Sequence, residues 1–272
     1  MTSIHPTQKL ENLIAKERQF LCVGLDTDVK RLPSHLPANA EGMLEFNKAI
    51  IRATQSHCVS YKINTAFYEE LGADGWDIME ETIKAIPETH FTIADAKRGD
   101  IGNTSRMYAR AFFESMNVDA VTVAPYMGED SVGPFLEYDH KTTIVLGLTS
   151  NPGSADFQRE VHQDGRPFYQ HVIERTAQWG NTHSLMFVIG ATRSELFQEV
   201  RSIIPEHFLL VPGVGAQGGN LQEVYNRGAN QRVGLLVNSS RGIIYASPGK
   251  DFADRAGIEA QSIAQSMSTL LS

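Results

Sequence analysis

A closed (β/α)8 TIM barrel, an α/β fold in a single domain, is the fold class the sequence predicts, on three observations. Short apolar or β-branched runs alternate with longer amphipathic segments from one end of the chain to the other. There are eight such runs, and each is nearly continuous in apolar residues, as parallel strands covered on both faces are. The 272 residues suffice for a barrel without a second domain. Eight strand-then-helix units favour closure over an open doubly wound sheet.

In chain order, a helix over about Pro6–Arg18, within a helical extension of residues 1–19, comes first. Strands are expected at Phe20–Leu25, Val59–Ile63, Phe91–Ala94, Ala120–Ala124, Thr143–Leu148, Ser184–Ile189, Phe208–Val211 and Leu235–Asn238. Between and after them, helical patterns cover Glu41–Ser56, Gly75–Ile86, Asn103–Met116, Glu129–Tyr138, Pro167–Trp179, Ser194–Ile203 and Asn220–Arg227, with a last helix from about Lys250. Asn103, Ser194 and Asn220 are expected as N-caps, their side-chain oxygens accepting from free backbone N–H groups. The longest irregular stretch, Thr149–Gly165, is rich in Asn, Pro, Gly, Ser and Asp, and its length suggests a lid.

Bulk properties exclude several classes. A formal charge of −8 disfavours a nucleic-acid partner, although a local cationic pocket remains open to a phosphate. Two cysteines far apart, Cys22 and Cys58, fit a reducing compartment and buried spacer roles rather than a disulfide scaffold. Neither has a charged cluster around it in the sequence to activate a thiol. Charged residues interrupt the N-terminal segment, and the longest apolar runs are strand-sized, so no membrane partner is expected and the location is cytoplasmic. The nine histidines show no HxxxH, HExxH or Cys pairing, so no metal site is expected.

In a barrel of this type the site lies at the C-terminal ends of the strands. The first strand runs into Asp26, the second carries Lys62, and the third runs into Asp95 and Lys97, which on an extended segment point the same way. Asp100 and Thr104 follow at the junction with the next helix. Singly, each has a structural alternative: an ion pair plugging the barrel mouth, an N-cap at Asp100 or Asn103, a snorkelling lysine at Lys62. Two lysines and three aspartates on three adjacent strand ends are costly to desolvate unless interleaved, and such clusters mark sites more often than scaffolding. The seventh strand ends in Pro212-Gly213-Val214-Gly215-Ala216-Gln217-Gly218-Gly219 and the eighth in Asn238-Ser239-Ser240-Arg241-Gly242. Glycines admit an anion close to the backbone and Arg241 offers a planar fork, at the frequent phosphate position of this architecture.

These residues resemble the orotidine 5′-phosphate decarboxylase family, in its longer bacterial type. The resemblance rests on the Asp-x-Lys-x-x-Asp-Ile-Gly-Asn-Thr run at 95–104 and Pro-Gly-Val-Gly-Ala-Gln-Gly at 212–218. Val23-Gly24-Leu25-Asp26, Tyr61-Lys62-Ile63-Asn64 and Ser240-Arg241-Gly242 fit in order and spacing. It implies an alternating charge array at Lys62, Asp95, Lys97 and Asp100. Lys97 would deliver a proton to pyrimidine C6 and Asp95 would face the substrate carboxylate. Asp100 and Thr104 would reach the neighbouring subunit's site, making a homodimer. Asp26 and Lys62 would contact ribose hydroxyls, Ser150 the pyrimidine amide edge, and Pro212 and Val214 the ring. Gln217, Ser240 and Arg241 would hold the phosphate. Thr149 and Asn151 are polar alternatives to Ser150, which could also simply initiate the Asn-Pro-Gly turn. No metal or organic cofactor is implied. Two rivals stand beside this: a metal-dependent sugar-phosphate decarboxylase or synthase of the same superfamily, and a catalytically silent barrel that binds nucleotide phosphates.

Overall fold

The computed structural model describes residues 4–190, 195–213 and 220–271. Its strands are β1 (Leu21–Gly24), β2 (Ser60–Asn64), β3 (Phe91–Arg98), β4 (Ala120–Val123), β5 (Thr142–Leu148), β6 (Leu185–Ile189), β7 (Leu209–Pro212) and β8 (Leu235–Ser239). They follow one another in chain order round a closed barrel, and the described pairings are parallel. The helices are α1 (Pro6–Glu17), α2 (Ala40–Thr54), α3 (Ala66–Glu69), α4 (Ala73–Ala85), α5 (Gly102–Arg110), α6 (Glu129–Leu136), α7 (Phe168–Thr176), α8 (Glu195–Ile203), α9 (Leu221–Gly228), α10 (Arg241–Ile244) and α11 (Phe252–Leu270). The short helices α3 and α10 are additions that the sequence pattern, too short there to show a period, did not disclose. No helix among the described residues is long and apolar enough to cross a membrane.

The expected strands are all present, with one difference that matters. β3 does not stop at Ala94 but continues through Asp95, Ala96, Lys97 and Arg98. The reason is backbone pairing: the N–H of Thr65 donates to the Asp95 carbonyl, and the N–H of Ala124 to that of Arg98. Polar side chains there ended the apolar run without ending the hydrogen bonding. The helix expected over Asn103–Met116 is α-helical to Arg110 and then widens into a π turn over Ala111–Ser115. Its N-cap is Ile101, with no side-chain cap bond, so the Asn103 cap is corrected: Asn103 already lies inside the helix. Asn220 caps α9 as expected, accepting from the N–H groups of Gln222 and Glu223, whereas Ser194 lies outside the described residues.

The chain falls into two compact units. In the one built of residues 9–96 and 238–272, α2 buries Phe46, Ile50 and Ile51, and the Phe46 ring stacks 4.8 Å from Phe252 at the start of α11. Asn39 caps α2 by accepting from the N–H of Gly42. In the unit of residues 1–8 and 97–237, Phe113 packs edge-on against Phe135 of α6, and Phe187 of β6 against His207.

That histidine gives a pH prediction. Both ring nitrogens of His207 are buried without a hydrogen-bond partner among the described residues. Burial, with Arg201 and Arg232 nearby, brings its pKa down to about 4. The unfolded chain, with a histidine near 6.5, takes up the proton first. The stabilisation from neutral His207 is therefore intact above about pH 6.5 and is lost as pH falls through about 4. The melting temperature should drop across that window, and His207→Phe should flatten part of the drop. Parallel curves for the two proteins would refute the assignment.

Candidate active site

In the unit of residues 9–96 and 238–272, the first cluster is built on Lys62. Its Nζ lies 3.2 Å from Asp26 Oδ1 and 3.0 Å from Asp95 Oδ2, with the lysine side chain 5% exposed and the two aspartates 19% and 11%. The register explains the meeting: Gly24 of β1 pairs with Lys62, and Asn64 of β2 with Asp95, so Asp26 and Asp95 come two residues beyond the level of Lys62, within reach of its long side chain. Lys62 is therefore no snorkelling surface residue. Burial on its own pulls the lysine's pKa down, but Asp95 and Asp26 more than reverse this and hold the ammonium above its ordinary value. At an effective dielectric of about 20 each contact is worth about 4 kcal/mol, comparable with the desolvation cost of several kcal/mol per ion.

The segment carrying Asp26 is fixed from behind. Thr27 Oγ1 donates to Asn47 Oδ1 at 2.6 Å, and Asn47 Nδ2 donates to Tyr68 at 3.0 Å, all of them fully buried. From the other side the Tyr245 hydroxyl accepts from the N–H of Asp28 at 2.7 Å, while Arg31 lies 3.8 Å over its ring. The sequence placed no charges around Cys22, yet Lys62, Asp26 and Asp95 all act on it. Burial dominates nonetheless, and both thiols are pushed up to about 12, so neither is a nucleophile.

The residues of this unit expected at the phosphate are Ser240 and Arg241. Ser240 caps α10, and Arg241 opens it, exposed. A Cβ on Gly24 would stand 1.9 Å from Ser240 Oγ, so only glycine at this place in β1 lets the Ser240 hydroxyl sit there. Asn238 is 93% buried (7% exposed); its amide donates to Ser240 Oγ at 3.2 Å, and its Oδ1 has no partner among the described residues. The sequence reading gave this buried, unpartnered acceptor beside Ser240 no role.

In the unit of residues 97–237, Lys97 is exposed and has φ +47°, a left-handed conformation. For a residue with a Cβ this costs on the order of 1–2 kcal/mol and so marks a backbone held from outside. The N–H of Lys97 donates to Thr122 Oγ1 of β4 at 2.9 Å. The rule that side chains two apart on a strand share a face therefore does not apply at residue 97. Asp100 Oδ1 accepts from the N–H of Ile101 at 2.7 Å, and Thr104 is exposed in the first turn of α5. Exposed apolar side chains follow on the same segment, Ile101 (56%) and Met107 (46%), and in the loop after β4, Tyr126 (86%) and Met127 (46%).

Ser150 follows β5, and a Cβ on Gly190 would lie 2.7 Å from its backbone nitrogen, so a glycine after β6 makes room for it. Its neighbours are engaged locally. Gln158 accepts from the N–H of Thr149 and donates to the Thr149 hydroxyl, both at 2.8 Å, and that hydroxyl donates to Asn151 Oδ1 at 2.6 Å. Pro212 ends β7, half-buried. Val214 and Gln217 lie outside the described residues. Sequence reasoning missed Asn238, Tyr245, Gln158 and Thr122. Of these only Asn238 left a signal, an amide inside an otherwise apolar strand.

Residues 19–256 match the model of the orotidine 5′-phosphate decarboxylase / HUMPS family. The chain is 53% identical over 268 residues to orotidine 5′-phosphate decarboxylase of Flavobacterium johnsoniae, covering 97% of this chain and 98% of that one. It is 52% identical over 267 residues to the protein of the same name from Phocaeicola vulgatus, with the same two coverages. Among solved structures, OMP decarboxylase of Leishmania donovani is similar with a TM-score of 0.85 and 35% identity, over 98% of this chain and 99% of that one.

Proposed function

The chain belongs to the orotidine 5′-phosphate decarboxylase / HUMPS family, and we propose that it removes the C6 carboxylate of orotidine 5′-phosphate to give UMP, completing de novo pyrimidine nucleotide synthesis. It is a carboxy-lyase. Loss of carbon dioxide leaves a C6 carbanion in the ring plane that the π system cannot delocalise, so the protein must supply the countercharge. In this reading Lys97 stabilises that carbanion and protonates it, while Asp95 faces the departing carboxylate. Asp26 and Lys62 hold ribose hydroxyls, Ser150 reads the pyrimidine amide edge, and Pro212 and Val214 line the ring. Gln217, Ser240 and Arg241 take the phosphate. Binding energy from phosphate and ribose, remote from C6, is available for ordering the loops around the substrate.

The observation that carries the reading against its metal-dependent relative is the Lys62 ammonium between Asp26 and Asp95, at 3.2 and 3.0 Å. A sugar-phosphate synthase needs an acidic metal ligand from the second strand, and a buried ammonium there repels a divalent cation. The reading is tested by incubating the purified, chelator-treated protein with orotidine 5′-phosphate and following the ultraviolet change on conversion to UMP. Loss of turnover on chelation would favour the metal-dependent relative, and nucleotide binding without turnover the silent barrel. The cytoplasm is the proposed place of action, where two free cysteines stay reduced.

A homodimer belongs to the same proposal. The exposed apolar residues Ile101 and Met107 lie on the segment that carries Asp100 and Thr104, and Tyr126 and Met127 in the loop between β4 and α6, which suits a surface covered by a second copy. If Asp100 acts across that interface, mixing inactive Lys97→Ala and Asp100→Ala chains should restore one working site per heterodimer. Mixtures that stay inactive would place Asp100 in its own subunit's site.

A further inference from the structure

We infer that Thr122 is a positioning residue for Lys97: its hydroxyl holds the lysine's backbone in the left-handed conformation from which the side chain serves the reaction. The inference rests on the reading above that Lys97 is the proton donor, and it concerns a residue that touches no part of the substrate in that reading.

Two observations meet at this point. Lys97 has φ +47°, where side chains rarely settle without support, although it lies within a strand whose other residues need no such conformation. The support is specific. Thr122 is fully buried in β4, and its Oγ1 accepts from the Lys97 N–H at 2.9 Å. One residue further on, the N–H of Ala124 donates to the Arg98 carbonyl at 2.8 Å. The main chain of residues 97–98 is thus held from β4 at two consecutive points, first by a side-chain oxygen and then by a backbone bond. A threonine is suited to this. Its β-branched stem is stiff at χ1 and fits a buried strand, while its hydroxyl provides an acceptor where the turned backbone presents its N–H.

The consequence concerns direction. Passing from the extended to the left-handed region swings the Cα–Cβ bond, and with it the base of the four-carbon stem that carries the ammonium. Thr122 therefore selects where that stem begins. Losing the hydroxyl leaves the proposed phosphate and ribose contacts in place but lets the lysine backbone relax, and a proton donor displaced by about 1 Å costs roughly a hundredfold in rate. Substrate capture, which in the proposed reading depends on phosphate and ribose contacts elsewhere, is unaffected.

The test compares steady-state kinetics of Thr122→Val and Thr122→Ser with the full-length wild-type chain on orotidine 5′-phosphate, with UMP affinity measured as a check on the folded site. Thr122→Val keeps the shape and removes the acceptor; its kcat should fall ten- to a hundredfold with KM and UMP affinity within about twofold. Thr122→Ser keeps the acceptor and should retain kcat within about threefold. Thr122→Ala replaces the valine variant should the latter not fold, with the same expectation. A kcat within twofold of wild type without the hydroxyl overturns the inference. So does an equal loss in Thr122→Ser, or a loss confined to KM. Lys97→Ala run alongside separates the two levels. If it retains turnover, the proton-donor reading itself is wrong. If it is inactive while the hydroxyl-free variant is normal, only the positioning role of Thr122 fails.

Discussion

Lys97→Ala is expected to bring decarboxylation below detection while the protein still folds and binds UMP within a few-fold of the wild-type affinity. The size follows from what one ammonium supplies. At 4 Å, an ion pair at an effective dielectric of about 20 is worth about 4 kcal/mol, and each 1.36 kcal/mol of barrier is tenfold in rate. Losing the charge opposite the developing carbanion therefore costs about three orders of magnitude, and more where the array is preorganised. Losing the positioned acid adds about 10²–10⁴-fold, because water must then reach C6. The fold should tolerate the change, since Lys97 is exposed and its described hydrogen bond to Thr122 uses the backbone N–H, which alanine keeps. Alanine inherits the left-handed φ of +47° at the cost lysine already bears, so no rearrangement is expected. The assay is the ultraviolet change on UMP formation, paired with a UMP titration. Turnover within about a hundredfold of wild type would remove Lys97 from the role of proton donor.

Much of this was legible in the sequence because parallel strands covered on both faces leave continuous apolar runs. The runs beginning at Leu21, Ser60, Phe91 and Leu235 stop where charge or amide groups begin, and those boundaries point to Asp26, Lys62, Asp95 and Asn238. The proximity of Lys62 to two aspartates also follows from strand order alone, once parallel neighbours are assumed. What periodicity cannot carry is a contact in which a side chain of one element serves the backbone of another. Thr122 reads as an ordinary β-branched strand residue, yet its hydroxyl meets the Lys97 N–H across 25 positions of sequence. Tyr245 and the N–H of Asp28 are 217 positions apart. The left-handed φ of Lys97 is likewise invisible, since no glycine or asparagine marks it. The Asn103 cap failed because a side chain able to cap does not fix where the helix starts; here the chain enters the helix two residues earlier, at Ile101.

Lys62→Met should destabilise the fold and silence the enzyme together, and its pH dependence should identify the cause. The substitution keeps volume but removes the ammonium that contacts both Asp26 and Asp95, whose side chains are 19% and 11% exposed. Breaking a buried pair by removing one partner costs about 3–5 kcal/mol, because the remaining desolvated carboxylates lose a countercharge. For a chain of this size that corresponds to a fall of roughly 10 °C in melting temperature. In the wild type, the folded-state pKa of Lys62 is raised above its unfolded value. Its contribution is therefore fully present below about pH 10.4 and is lost as pH rises through the folded value. In the variant, with the ammonium gone, Asp26 and Asp95 lose a countercharge, so taking up a proton there costs the folded state less than it does in the wild type. The deficit in urea midpoint between variant and wild type should thus be widest at pH 8 and shrink toward pH 5. A deficit independent of pH would mean that methionine fails by packing alone, and a variant as stable as wild type at pH 8 would mean that water or rearrangement already screens Asp26 and Asp95. In either case the Lys62 ammonium would lose its place as the charge that organises these two strand ends.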